Sequence, residues 1–389
     1  MRNKMTAVGM LAAVTVLGCP GTASADDTWR AVPLNWTWPD RHFNDVEAVG
    51  ARDVWAAGGQ GEVHVSILGD LGHAPVTLVD IGSKPVLQHW TGGTWTSYSP
   101  PGIPGEGQIT QIEGLAPNDV WASGFLGYHN PATYLAHWDG TRWTQVASPS
   151  SRWSVKLWTD SDSVWLDDDN ALYQYKGGAW IKHPFDGGSL AVILPTSSGD
   201  FYVCNIDELS HWNGSTFTTF GLLPGDSHFS DNNFYAASAA GELWTISRAG
   251  SADTVPSVHR WSGTAWETVP VPDAYQGTSH HSIYDVDGIV IQVRTRSDGK
   301  EHQLRWNGTS WTELSTPAAS VPPSPVVAGD GTVWAGGGVN RLQGQTWTPV
   351  QVPITGYLQI TPLPASRYVF AWGRDNSGNL VAATNTPQT

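Results

Sequence analysis

One phrase recurs along the chain with small changes. It reads HWTGGTWTSYSP from His89, HWDGTRWTQVASP from His137, HWNGSTFTTF from His211, RWSGTAWETVPVP from Arg260 and RWNGTSWTELSTP from Arg305. In each copy an aromatic or apolar residue is answered five positions later by an aromatic one: Trp90/Trp95, Trp138/Trp143, Tyr175/Trp180, Trp212/Phe217, Trp261/Trp266, Trp306/Trp311 and Leu342/Trp347. Between the two lies a short polar turn such as Asp139-Gly140-Thr141, with glycine supplying the positive φ of a tight hairpin. A repeated hairpin cannot bury its apolar face alone, so the copies must stack against one another.

A second element precedes each hairpin: DVWAAG from Asp53, DVWASG from Asp119, SVWLDD from Ser163, DFYVCN from Asp200, ELWTIS from Glu242, GIVIQV from Gly288, TVWAGG from Thr332 and YVFAWG from Tyr368. A further short apolar run comes before each of these, such as ITQIEGLA from Ile109. Four strands, a to d, repeating every roughly 36 to 66 residues predict an all-β fold, a single β-propeller. Seven units are complete. The stretch from Tyr357 to Thr384 supplies only a, b and c, and TWRAVPL from Thr28 reads as an isolated strand d. Joining the two ends gives eight four-stranded blades closed by the N-terminal strand; seven blades with a loose C-terminal tail is the alternative.

The first 25 residues read as a secretory signal. Arg2 and Lys4 precede a small apolar run, and Ala23-Ser24-Ala25 is a cleavage site, which leaves 26–389 as the propeller and a secreted, extracellular location. Cys19 in VLGC offers a lipoprotein as the alternative. After cleavage Cys204 is the remaining cysteine, so no internal disulfide is available. The chain carries 20 basic against 35 acidic residues. That balance argues against nucleic acid as a partner, and no segment after the signal is apolar enough to span a membrane.

The DVWAxG and HWDGTxW phrases resemble those of secreted bacterial β-propellers and cover nearly the whole mature chain. In outline the pattern is also similar to Kelch and tectonin propellers. The resemblance implies the fold and says little of function, because such propellers serve both binding and catalysis. A copper-radical site of the galactose oxidase kind is not expected, since Cys204 falls in a repeat strand as a plain apolar residue.

Most of the 22 tryptophans occupy the repeat register and are expected to fill the wedges between blades. Trp36, Trp38, Trp153, Trp158 and Trp372 break it and are the candidate ligand-binding residues, suited to stacking on sugar rings. The b–c and d–a loops emerge on one face of such a blade, and all the long insertions fall there, so that face is expected to carry function. His42, His228, His280, His281 and Arg152 precede innermost strands and are predicted to ring the channel mouth, where imidazoles serve as acid, base or metal ligand. His64, His73 and His129 lie elsewhere in the long loops. The sequence names no cofactor. Two functions follow: binding of a carbohydrate or other small extracellular ligand on the long-loop face, or a lyase or hydrolase with a histidine-rich channel site, with or without a metal. A protein partner on the same face is a third. Asp167-Asp168-Asp169 reads as a solvated turn rather than a calcium loop.

Overall fold

The computed structural model describes residues 28–35, 41–67, 76–103, 105–127, 130–160, 162–183, 190–196, 200–205, 209–220, 233–238, 241–247, 257–275, 281–286, 288–294, 300–315 and 325–387. Every repeat folds as four antiparallel strands in the order a-b-c-d. In blade 2 these are Gly107–Ala116, Asp119–Leu126, Ala132–Trp138 and Trp143–Gln145. The turn between c and d explains its own consensus. Asp139 Oδ1 accepts from the backbone N–H of Thr141 and of Arg142, both at 2.9 Å, and Gly140 takes φ 91°. Asn213 and Asn307 do the same with Ser215/Thr216 and Thr309/Ser310. A short side-chain acceptor followed by glycine satisfies the turn's backbone donors without water.

Eight such sheets form the ring. The eighth combines Tyr357–Pro362, Val369–Arg374 and Leu380–Thr384 with Arg30–Ala31 from the other end of the chain. Arg30 pairs with Thr384 and Ala31 with Ala383. The Arg30 guanidinium reinforces this closure, donating to Thr386 Oγ1 at 3.0 Å and to the Gly92 carbonyl of blade 1 at 2.9 Å. The ring therefore has eight blades, closed by the N-terminal strand.

Tryptophan sets the spacing between blades. Trp55, in strand b of blade 1, meets the hairpin pair of blade 2 edge-on: Trp138 at 5.2 Å and Trp143 at 5.1 Å. Trp121 of blade 2 likewise meets Tyr175 and Trp180 of blade 3. Phe370 of blade 8 meets Trp90 and Trp95 of blade 1, and Trp334 of blade 7 meets Trp29 beside the closing strand. Edge-to-face geometry is the favoured one for such rings. In blades 1 and 2 the strand-b indole is capped by a polar pair from its own blade. His89 stacks on Trp55 at 4.0 Å while its Nε2 bonds Asp53 at 2.6 Å, and His137 lies over Trp121 while bonded to Asp119 at 2.9 Å. The acid at the start of strand b and the residue before the strand-c tryptophan are thus one unit. Blade 3 keeps the unit in neutral form, with Gln174 donating to Ser163 Oγ at 2.9 Å.

The innermost strands lock to each other through side chain to backbone bonds. Asp45 Oδ2 accepts from Ile112 N at 3.0 Å, joining blade 1 to blade 2. At the equivalent position Gln111 holds blade 3, accepting from Leu157 N at 2.8 Å and donating to Leu157 O at 2.6 Å. Thr361 of blade 8 donates to Val46 O at 3.2 Å. These bonds satisfy backbone groups that would otherwise face neighbouring blades unpaired.

Candidate functional site

Two of the long loops meet beside blades 1 and 2. The insertion between strands b and c of blade 1 includes its own hairpin, Val63–Ile67 with Val76–Ile81. Its return clasps the connection into blade 2, with Gly107 N donating to Ser83 O at 2.7 Å and Gly82 N to Glu106 Oε1 at 3.1 Å. His42 opens strand a of blade 1 here. Its ring stands so close to Gly59 that a Cβ there would meet it at 3.0 Å.

Those of the predicted site residues that the structure describes do not form one cluster. Trp36, Trp38, His228, His280, His73 and His129 lie outside the described residues, as do the signal segment and Cys19. His281 begins strand a of blade 6, paired with Val293. His42 and Arg152 belong to blades 1 and 3, with blade 2 between them. Trp372 is 5% exposed. Its Nε1 donates to Thr361 Oγ1 at 3.2 Å, and Phe43 packs on it, so its indole fills the seam between blades 8 and 1 and offers no open face. Trp158 is 8% exposed and stacks on its cross-strand partner Trp165 at 5.8 Å and 12°. It sits where blades 1 and 2 carry Glu47 and Glu113, each also opposite a strand-b tryptophan. Trp153 alone among the described off-register tryptophans is open, at 54% exposed, held edge-on by Phe125 at 6.1 Å.

Around Trp153 the face is polar and organised. Arg152 Nη1 lies 3.8 Å from Asp169 Oδ2. The Asn170 amide, oriented to satisfy both its ends, accepts from Arg152 Nε at 3.0 Å and Nη2 at 2.7 Å. Asp169 has φ 64°, a left-handed conformation stabilised by Asp167 Oδ1, which accepts its N–H at 2.6 Å. Asp168 Oδ1 accepts from Asn170 N and Ala171 N. The acidic run is thus a tight turn with Asp167 and Asp168 buried, a correction to the expected solvated one. Among the described residues no three His, Cys, Asp or Glu stand close enough together to hold a metal ion.

From this rim the site continues inward. Lys156 Nζ reaches Asp169 Oδ1 at 3.4 Å and Asp167 Oδ2 at 3.7 Å. It stands at the wall of a cavity of about 320 Å³ between the innermost strands of blades 2, 3 and 4, lined by Gln111, Glu113, Lys156, Leu157, Trp158, Asp167, Ile193 and Pro195. Burial pushes the Glu113 carboxyl up to about 8, aided by the nearby Asp45 charge. Glu47 is pushed up to about 9 by burial and by the charges of Glu113 and Asp45. Burial raises Asp167 to about 6 against the pull of its bond from Asp169 N and of Lys156. At neutral pH the Glu113 carboxyl is therefore held mainly in its neutral form, while Asp167 in the same cavity is mostly ionised.

Sequence reasoning did not single out Glu113, Gln111, Lys156, Phe125 or Asp45. The signal available was register: Asp45, Gln111 and Lys156 occupy one strand-a position in three successive blades, and Glu47 and Glu113 share the position two residues on.

No protein-family profile and no curated protein matches the chain. Among solved structures it is similar to YCF48 bound to D1 peptide, at 16% identity and a TM-score of 0.50, covering 92% of this chain and 97% of that one. It is also similar to YCF48 from Cyanidioschyzon merolae, at 12% identity and 0.48, covering 92% and 98%. A third is the catalytically inactive virginiamycin B lyase from Staphylococcus aureus with quinupristin, at 11% and 0.45, covering 92% and 99%. Identities this low speak for the propeller fold alone. Among the described residues no helix is long and apolar enough to cross a membrane.

Proposed function

We propose that this is a secreted binding propeller whose long-loop face takes an extracellular carbohydrate, with Trp153 as the stacking platform. The observation that carries the reading is the open indole of Trp153, buttressed by Phe125 and flanked by the Arg152–Asp169–Asn170 network. A sugar ring presents an apolar face and a rim of hydroxyls; a supported indole beside planar, already oriented polar groups complements both. Support on the underside also means that little side-chain freedom is lost on binding. Trp36 and Trp38 belong to the same proposal by sequence. The test is a glycan array probed with the purified protein and with Trp153→Ala. At least a tenfold loss on the array hit is expected, and unchanged binding would remove Trp153 from the site.

A second reading is a lyase or hydrolase acting in the channel. Glu113 and Asp167 favour it, because one cavity holds a carboxyl raised to about 8 and another at about 6, the separation of proton affinities that an acid and a base require. Product formation from the array hit, abolished by Glu113→Gln, would establish this reading over simple binding.

A further inference from the structure

The cavity between the innermost strands of blades 2, 3 and 4 has a lining of mixed chemistry: Trp158, Ile193 and Pro195 are apolar, and Glu113, Lys156 and Asp167 are polar. Gln111 is fixed lining rather than an available partner: its Oε1 accepts from Leu157 N, and its Nε2 donates to Leu157 O and to Glu113 Oε1 at 3.2 Å, which also orients the Glu113 carboxyl. Lys156 lies between Asp167 and Asp169, so the charges at the mouth offset one another and an ionic ligand has nothing to gain. What the polar lining offers is a mixture of donors and acceptors, which hydroxyl groups need because each both gives and takes a hydrogen bond. At about 320 Å³ the space is at the low end for small-molecule sites, which begin at about 300 Å³. It holds the end of a chain rather than its middle. Asp169 connects this cavity directly to the rim, since its two carboxylate oxygens face Lys156 on one side and Arg152 on the other.

We infer that the cavity seats the terminal ring of a sugar chain whose next rings run outward over Arg152 and Trp153, so that recognition is end-on. The inference rests on the carbohydrate reading above. It assigns Trp158, Ile193 and Pro195 to the ring's apolar face and Glu113 and Asp167 to its hydroxyls, with Lys156 at the entrance, where 57% of its side chain is exposed. A methyl glycoside, having only a terminal ring, should occupy the cavity without touching Trp153.

The experiment uses a panel of methyl glycosides of hexoses, pentoses, deoxyhexoses and N-acetylhexosamines, titrated by calorimetry or followed by saturation-transfer NMR. The oligosaccharide array is run beside it. The proteins are the wild type, Trp153→Ala, Pro195→Trp and Lys156→Met. Pro195 is an exposed lining residue at the a–b-turn end of its strand, so a tryptophan there fills space within the cavity without entering a blade core. Lys156→Met tests the polar mouth by a change that leaves the strand intact. The expected result is one methyl glycoside bound equally, within about threefold, by wild type and Trp153→Ala. Its affinity should fall at least tenfold in Pro195→Trp and at least fivefold in Lys156→Met, with the oligosaccharide weakened by all three changes. Oligosaccharide binding that is lost in Trp153→Ala but intact in Pro195→Trp and Lys156→Met would overturn end-on seating and leave the platform reading standing. Absence of any glycan binding by the wild type would overturn both.

Discussion

Raising the pH from 6.5 to 8 should destabilise this protein, and two glutamates in the channel wall should account for most of the effect. Glu47 and Glu113 ionise near 4.5 in an unfolded chain but at about 9 and about 8 in the ring. Between those values the folded state keeps protons that the unfolded state has released. Stability is therefore undiminished below about 4.5, declines as pH rises, and levels off only above the folded values. Each group that stays protonated costs about 1.4 kcal/mol per pH unit, or about 2 kcal/mol for Glu47 between pH 6.5 and 8. For a 389-residue chain unfolding entropy is about 0.8 kcal/mol/K, so Glu47 alone lowers Tm by about 2 to 3 °C across that interval and Glu113 adds somewhat less. Other groups do not mask this. Burial lowers the His183 pKa, which works in the opposite sense but only below its ordinary 6.5, and Asp167 titrates mainly near 6. Differential scanning calorimetry of wild type, Glu47→Gln, Glu113→Gln and the double variant at matched ionic strength reads the slope directly. Glu47→Gln should remove about half of it, and the double variant should be flat within about 1 °C. A wild-type Tm that stays level or rises from pH 6.5 to 8, or a double variant that keeps the full slope, would refute the placement of uncompensated carboxyls in the channel.

Three further outcomes follow from the packing. Trp121→Ala removes a fully buried indole from the blade 2 to blade 3 wedge and should cost about 3 to 5 kcal/mol in denaturant unfolding. Trp372→Ala should cost a similar amount, because its indole fills the closure seam; array binding in the same variant should persist, and its loss with unchanged stability would mean that the indole faces ligand instead. Deleting residues 28–32 strips blade 8 of its outer strand and exposes a sheet edge, so size-exclusion chromatography should show self-association.

The repeat was legible because it writes the same physical demands again and again: a glycine at each of the seven hairpin turns, commonly after a short polar acceptor, and a large ring for each wedge. Trp158 and Trp372 were harder. Departure from the repeat register marks a residue as unusual but not as exposed. Trp158 is buried because register places it opposite Trp165, a pairing that depends on strand alignment rather than on any local motif. The channel acids were hidden by a different ambiguity. Asp45 and Glu47 alternate with Val46 and Ala48, the pattern of any strand with one wet face; only ring closure turns that face toward other blades and deprives the carboxyls of water. Arg152 and Trp153 could be placed on the functional face by counting strands, but Phe125, the support that makes the platform, comes from a neighbouring blade and carries no signal of its own.

The closure of blade 8 also has a mechanical meaning. Arg30 pairs with Thr384 and Ala31 with Ala383, so the two chain ends leave this antiparallel pair from the same side. A force pulling the ends apart would load its hydrogen bonds one at a time, as a zipper is opened, rather than all together in shear. The ring is stiff against outward pressure spread over its blades, yet its clasp peels from the termini. A tether on one end, to a surface or to another polypeptide, leaves the clasp untouched, whereas tension between both ends is borne first by Arg30 and its bonds to Thr386 and Gly92.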